Sequence, residues 1–149
     1  WIRNTIRSEW HSEMVVIKGK KVRPSEFDAL IALKNSENVG LLTYRITGTQ
    51  CEILTLNSFI KREGIGSRLI RCLEEKLVLK DCNWLEVTTT NDNMKALAFY
   101  QKLGFEIAGI QVNAMEHARE KKPSIPRTGL NGIPIRDEIM LTKNLQKKK

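Results

Sequence analysis

Apolar residues recur at every fourth position at Ile65, Leu69, Leu73 and Leu77, while Arg68, Arg71, Glu75 and Lys80 fall on other faces. That period predicts an amphipathic helix over residues 64–80. Ile2 and Ile6, four apart, predict a shorter helix over residues 1–10. Elsewhere the pattern changes to short apolar runs bounded by turn residues, which is the mark of strands. Residues 14–17 form one run, closed by Lys18-Gly19-Lys20. Residues 22–27 contain Pro24 and predict a loop. The runs 29–33, 39–47 and 50–56 are separated by Asn35-Ser36-Glu37-Asn38 and by Gly48-Thr49, so they predict three antiparallel strands. After the long helix, the β-branched run 85–90 predicts a strand. Asn91-Asp92-Asn93 breaks it and offers caps for a helix over 94–103, which Gly104 would stop. A strand over 105–112, a short helix over 113–121 and a strand over 138–142 complete the pattern. Between the last two, residues 122–136 hold Pro123, Pro126, Gly129, Gly132 and Pro134. Long irregular loops of this kind are often functional. Strands first, then strands alternating with helices, predict an α/β (α+β) fold in which a mixed central β-sheet carries helices on both faces.

Length and composition narrow the class. A chain of 149 residues with 41% hydrophobic and 28% charged positions suits one soluble globular domain. That domain is predicted over residues 1–142, with 143–149 as a basic tail. No apolar run approaches the roughly 20 residues that cross a bilayer, and no signal peptide is visible, so the expected location is cytoplasmic. The chain starts at Trp1 rather than Met, and a trimmed end is expected. Cys51, Cys72 and Cys82 are odd in number, sit in apolar surroundings and form no C-x-x-C pair. They read as buried free thiols in a reducing compartment. His11 and His117 lie far from them in sequence, which argues against a cysteine nucleophile, and no ligand pair has metal-site spacing, so no metal is expected. The net charge is +8, and Lys143, Lys147, Lys148 and Lys149 supply half of it. The tail is either a solvated end or a polyanion site. No helix-turn-helix or aromatic RNA-binding signature supports a nucleic-acid partner.

The densest chemistry lies where the run 50–56 passes through Lys61-Arg62-Glu63-Gly64-Ile65-Gly66-Ser67 into the long helix. A helix start presents unpaired N–H groups and the positive end of the macrodipole, and glycines let that backbone approach an anion. A dinucleotide loop would need a third glycine where Leu69 stands, and a Walker A loop would need Gly-Lys where Gly66-Ser67 stands. Neither fits. A plain tight entry to the helix stays open on the residues alone.

Lys61-Arg62-Glu63-Gly64-Ile65-Gly66 resembles the pyrophosphate loop of the GNAT-type N-acetyltransferases, whose pattern is Arg or Gln, two residues, Gly, one residue, Gly or Ala. Lys61 departs from it, keeping the charge but losing bidentate hydrogen bonding, for which Arg62 can compensate. A second segment is similar to that family's N-x-x-A-x-x-F-Y-x-K-x-G-F motif: Asn93, Ala96, Phe99, Tyr100, Lys102, Gly104 and Phe105. Both motifs stand in the family's order, and the resemblance covers nearly the whole chain. It implies that the family's usual first strand would precede Trp1, so a chain without that strand is expected. Residues 122–139 also look like a branch of bacterial members; the alternative is an ordered loop that caps the sheet.

The resemblance implies the acyl-CoA N-acyltransferase fold, with strands splayed at the cofactor site, and direct transfer from acetyl-CoA to a primary amine in a ternary complex. It places acetyl-CoA against Leu54, Leu56 and Asn57, against the loop Lys61, Arg62, Glu63, Gly64, Ile65, Gly66 and Ser67, and against Asn93, Ala96 and Tyr100. It implies Tyr100 as the general acid for the departing thiolate; the alternative is a core ring. It implies Asn93 as a cofactor contact; the alternative is a helix cap. Glu52 is the candidate general base, sharing a strand face with Leu54 and Leu56, where desolvation would raise its pKa; the alternative is an ion-paired strand carboxylate. His117, Arg119, Asp137 and Glu138 can reach the acceptor side or serve the surface and scaffold. The acceptor is a small-molecule or peptide amine, and a monomer and a homodimer both fit. The rival functions are a non-catalytic acyl-CoA-binding module and a basic nucleic-acid binder.

Overall fold

Two-residue turns with left-handed backbone shape the first half of the sheet. In the computed structural model, which describes residues 1–146, Lys18-Gly19 joins β1 (Val15–Ile17) to β2 (Lys20–Val22). Asn35-Ser36 joins β3 (Asp28–Lys34) to β4 (Glu37–Thr47), again with positive φ at both residues. Such turns match the right-handed twist of the strands that they connect. Gly48-Thr49 then leads into β5 (Gln50–Ser58). The chain continues as α2 (Ile65–Leu79), β6 (Trp84–Thr90), α3 (Met94–Lys102), β7 (Glu106–Gln111), α4 (Ala114–Lys121) and β8 (Glu138–Asn144), with α1 (Ile2–Trp10) at its start. The main sheet has the order β3-β4-β5-β6-β8-β7. The β5–β6 pair is parallel, with α2 as its crossover, and every other neighbouring pair is antiparallel. The mixed α/β architecture is therefore the one expected.

The core lies mainly on one face. The apolar stripe of α2 (Ile65, Leu69, Ile70, Leu73, Leu77) packs on Leu42, Ile53, Leu85 and Val87, and Tyr100 and Phe105 extend the same cluster. On the other face the β1–β2 hairpin packs Val15 and Val22 around Leu54. Gly40 in β4 lets α2 come down onto the sheet, because a Cβ there would stand 2.6 Å from Ile65 Cγ2. Gly40→Ala is expected to cost about 1–3 kcal/mol by overpacking, read in a denaturant titration, with Ile65→Ala in the same chain restoring part of the loss.

Several sequence-based expectations need correction. Residues 22–27 are not all loop: Val22 ends β2, and Pro24–Glu26 forms a turn of 3₁₀ helix. Cys72 is exposed, whereas Cys51 and Cys82 are buried. Lys143 belongs to β8 and pairs with Glu74 at 2.7 Å, so the basic tail does not begin there; Lys147, Lys148 and Lys149 lie outside the described residues. Most consequentially, Glu52, Leu54 and Leu56 do not share a face. Thr43 pairs with Thr55 but Tyr44 pairs with Ile53, so Leu54 is an extra residue, a β-bulge. Beyond it the alternation is reversed. Ile53 and Leu56 pack with the α2 cluster, and Leu54 packs with the hairpin.

Candidate functional site

The bulge sits where two strands part. The β5–β6 ladder runs from Gln50↔Trp84 to Ile53↔Val87 and ends there. Further on, β5 pairs with β4 alone and β6 with β8 alone. One edge of residues 54–58 and one edge of residues 88–90 thus face a gap through the sheet, with unpaired backbone groups on both sides.

Where β5 leaves the sheet, the chain turns through Arg62 (φ 66°) and Gly64 (φ 70°) into α2. No hydrogen bond to the amides of residues 62–67 occurs among the described residues; the first amide with a partner is that of Arg68, which donates to Gly64 O at 3.0 Å. These are the orphan donors of a helix start, of the kind that an anion can satisfy. The two glycines have different reasons. At Gly64 a side chain would meet nothing, and the positive φ is the requirement. At Gly66 a Cβ would stand 3.2 Å from Phe99 Cζ, so this glycine brings α3 against the start of α2. Ile65 is buried in the core, leaving only its backbone for a ligand. Glu63 is tied to Lys34 of β3 at 2.7 Å, which offsets the carboxylate charge beside the free amides. Lys61 and Arg62 are exposed next to them.

Tyr100 stands on the α2–α3 side of the sheet. Its ring is buried edge-on between Phe99 and Phe105, with centroids 5.1 and 5.3 Å away. The hydroxyl makes no hydrogen bond with a described residue. Burial pushes its pKa well above the ordinary phenol value. Asn93 caps α3, its Oδ1 accepting from Ala96 N at 3.1 Å, and it also borders the cleft described next. Asn57 accepts from Trp10 Nε1 at 3.4 Å.

On the hairpin side the gap opens into a cleft of about 270 Å³. Leu54, Thr88 and Thr90 form its floor, β1 and Trp10 one wall, and Ile125, Pro126 and Ile135 the other. The loop over residues 122–136 is held in place there. Arg119 Nη2 donates to Pro126 O at 2.8 Å and to Ile135 O at 2.5 Å. Buried Asp92 accepts from Leu130 N at 3.0 Å, and Asn91 Nδ2 donates to Pro134 O at 2.9 Å. Gly129 is required beside Asp92, because a Cβ there would overlap the Asp92 carboxyl group and stand 2.7 Å from Ile135 Cγ1.

The buried carboxylate that borders this cleft is Glu138, and Glu52 does not border it. Glu138 is 8% exposed and accepts from Lys18 N at 3.2 Å. Its burial pushes its pKa up, opposed by the Lys18 amide and ammonium and reinforced by the charge of Glu52. Glu52 pairs with Arg45 at 2.6 Å, beside Lys18 at 3.9 Å, and opposite Glu86 in the closed part of the β5–β6 ladder. It borders a separate depression with Arg45 and Glu86. Asp137 is engaged by Asn113 N and Arg136, and His117 is exposed away from the cleft. The cleft also brings in Trp10 and Lys122, and Lys18 reaches it through Glu138; the sequence reading passed over all three. Lys122 looks like the solvated end of a helix in a Lys-Lys-Pro string, and nothing local marks it as facing a cavity.

A model of the acetyltransferase (GNAT) family matches residues 2–105. The uncharacterized protein YdhI of Bacillus subtilis (strain 168) is 43% identical over 135 residues, 90% of this chain and 84% of its own. The uncharacterized protein YxbD of the same strain is 42% identical over 142 residues, 94% of this chain and 89% of its own. Among solved structures, the IAA acetyltransferase from Bacillus cereus ATCC 14579 superposes with a TM-score of 0.68 at 28% identity, covering 78% of this chain and 76% of that one. A GNAT family acetyltransferase from Elizabethkingia anophelis with acetyl-CoA bound gives a TM-score of 0.68 at 27% identity, covering 78% and 74%. No helix among the described residues is long and apolar enough to cross a membrane. Matches of this extent settle the lineage: the chain belongs to the acetyltransferase (GNAT) family and is an acetyl-CoA-dependent acetyltransferase.

Proposed function

We propose that the pyrophosphate of acetyl-CoA is held by the amides of residues 62–67 and that its thioester arm enters the gap between β5 and β6. The observation that carries this reading is the parting of the two strands after Ile53 and Val87, next to a helix start whose amides are unpaired. Leu54, Leu56 and Asn57 border the arm from β5, Asn93 and Ala96 from the start of α3. The acceptor amine comes from the opposite side, through the hairpin-side cleft. Glu138 takes the proton of the incoming ammonium. The amine nitrogen bonds to the thioester carbon, the carbon–sulfur bond breaks, Tyr100 gives its proton to the departing thiolate, and the second proton leaves the nitrogen to water, from which Tyr100 regains its own. A backbone N–H on the free edge of β5 stabilises the oxyanion, a type of contact worth roughly 3 kcal/mol in other enzymes. Glu52 serves the scaffold through Arg45. Three free thiols fit a cytoplasmic setting.

Gly64→Asp tests the anion site. The added side chain meets no neighbour, and Asp tolerates the left-handed backbone better than most residues. Its charge would stand beside the diphosphate. Acetyl-CoA affinity, measured by calorimetric titration, is expected to fall at least tenfold, with the thermal midpoint little changed. Undiminished affinity in a folded variant would overturn the proposed grip.

A further inference from the structure

Glu138 and Lys122 border the same cleft with opposite charges, and they are its two charged side chains that are not fully exposed; Glu9 and His11 stand exposed on its rim. The Lys122 ammonium donates to Trp10 O at 2.8 Å and to Met14 O at 3.1 Å. An ammonium has three N–H donors, so one is left. No carboxylate of the described residues lies within ion-pair distance of it. Burial lowers its pKa, which means that its charge is under-compensated where it stands. Val15, Leu54, Met115, Ile125 and Ile135 line the same cleft and make much of its surface apolar, with Thr88, Thr90 and Asn93 as polar members.

We propose that the acceptor is an apolar amino acid, bound with its amine toward Glu138, its carboxylate on the free N–H of Lys122 and its side chain among Val15, Met115 and Ile125. This rests on the reading above that the cleft receives the acceptor. A carboxylate on Lys122 gains a charge-assisted hydrogen bond in a partly desolvated place. A polyamine or an aminoglycoside gains little here. It would bring several positive charges to one inner carboxylate and meet Lys122 as a like charge, a mismatch that selects against such partners. The volume also suits one small molecule. The pinning of the loop by Arg119, Asp92 and Asn91 keeps the wall preformed, so little ordering is needed on binding.

The test uses the full chain with acetyl-CoA and follows thiol release with L-phenylalanine, phenylalaninamide, phenethylamine, spermidine and kanamycin. Phenylalanine is expected to exceed phenethylamine in kcat/KM by at least tenfold, through KM, with spermidine and kanamycin lower still. In Lys122→Met the ratio of phenylalanine to phenethylamine is expected to collapse toward one, and Lys122→Arg is expected to keep most of it. Preference for spermidine or kanamycin, equal use of phenylalanine and its amide, or a ratio that survives Lys122→Met overturns the proposal and leaves the acetyl-transfer reading intact. Calorimetry separates the two failures: absence of acetyl-CoA binding removes the reading of the cofactor site itself. Acetyl-CoA binding with none of the five amines turned over overturns the acceptor proposal and leaves the cofactor site standing. The wild-type panel decides even where the Lys122 variants fold poorly.

Discussion

Replacing Tyr100 by Phe is expected to lower kcat for acetyl transfer by about a hundredfold or more and to leave the acetyl-CoA dissociation constant within about twofold. The change removes one oxygen and keeps the ring. The edge-on contacts with Phe99 and Phe105 survive it, and no protein group loses a hydrogen-bond partner, because the hydroxyl has none among the described residues. Stability should therefore move little, and the loss should fall on the chemical step. Burial pushes the Tyr100 pKa above the ordinary phenol value, so the hydroxyl stays protonated across the working range and holds a proton for the departing thiolate. Single-turnover thiol release in the wild type and the variant, beside calorimetric titration of acetyl-CoA, separates the two effects. A variant that turns over at the wild-type rate would reduce Tyr100 to a core ring.

What the sequence disclosed and what it hid follow from the range of the interactions. The period of four in Ile65, Leu69, Leu73 and Leu77 is local, so α2 was readable to within a residue at each end. The glycines at 64 and 66 marked the helix start for the same reason, although Gly66 also answers to Phe99, which no local pattern reveals. The bulge at Leu54 left no trace. Cys51 to Asn57 alternates evenly as text, and the extra residue exists only because Thr43 and Tyr44 on the partner strand choose Thr55 and Ile53. That one-residue slip moved Leu56 to the opposite face from Leu54 and undid the argument that placed Glu52 among leucines. The β2 strand was hidden because Lys20 and Lys21 are exposed, leaving Val22 as its one buried apolar residue. The cleft is the least local feature of all. Lys18 N reaches Glu138 across 120 positions, and Lys122 reaches Trp10 across 112. Glu138 could be read as a strand residue and as one of four candidates for the acceptor side, but nothing local marked it as buried.

Replacing Glu138 by Gln is expected to reduce kcat/KM for the amine by about a hundredfold or more near neutral pH and to erase the acidic limb of the pH–rate profile. The sign follows from its environment. Burial raises the Glu138 pKa above the ordinary carboxylate value, so part of the population is protonated at a pH where a solvated glutamate is fully ionised. Only the ionised form accepts the amine proton. In the wild type the rate therefore climbs with pH through that raised value. The glutamine variant has no such proton to lose, and its rate should follow only the amine's own deprotonation. The substitution is nearly isosteric, and the new amide oxygen can still accept from Lys18 N, so the fold should hold. Glu52→Gln supplies the contrast. It breaks the ion pair with Arg45, which costs stability, and it removes a charge that helps to raise the Glu138 pKa, but it takes no side chain from the cleft. Its rate near neutral pH should stay within a few fold of the wild type, with the acidic limb kept and displaced to lower pH. The opposite pattern, with the limb lost in Glu52→Gln and kept in Glu138→Gln, would return the role of base to β5 and mean that the amine approaches from the closed end of the ladder.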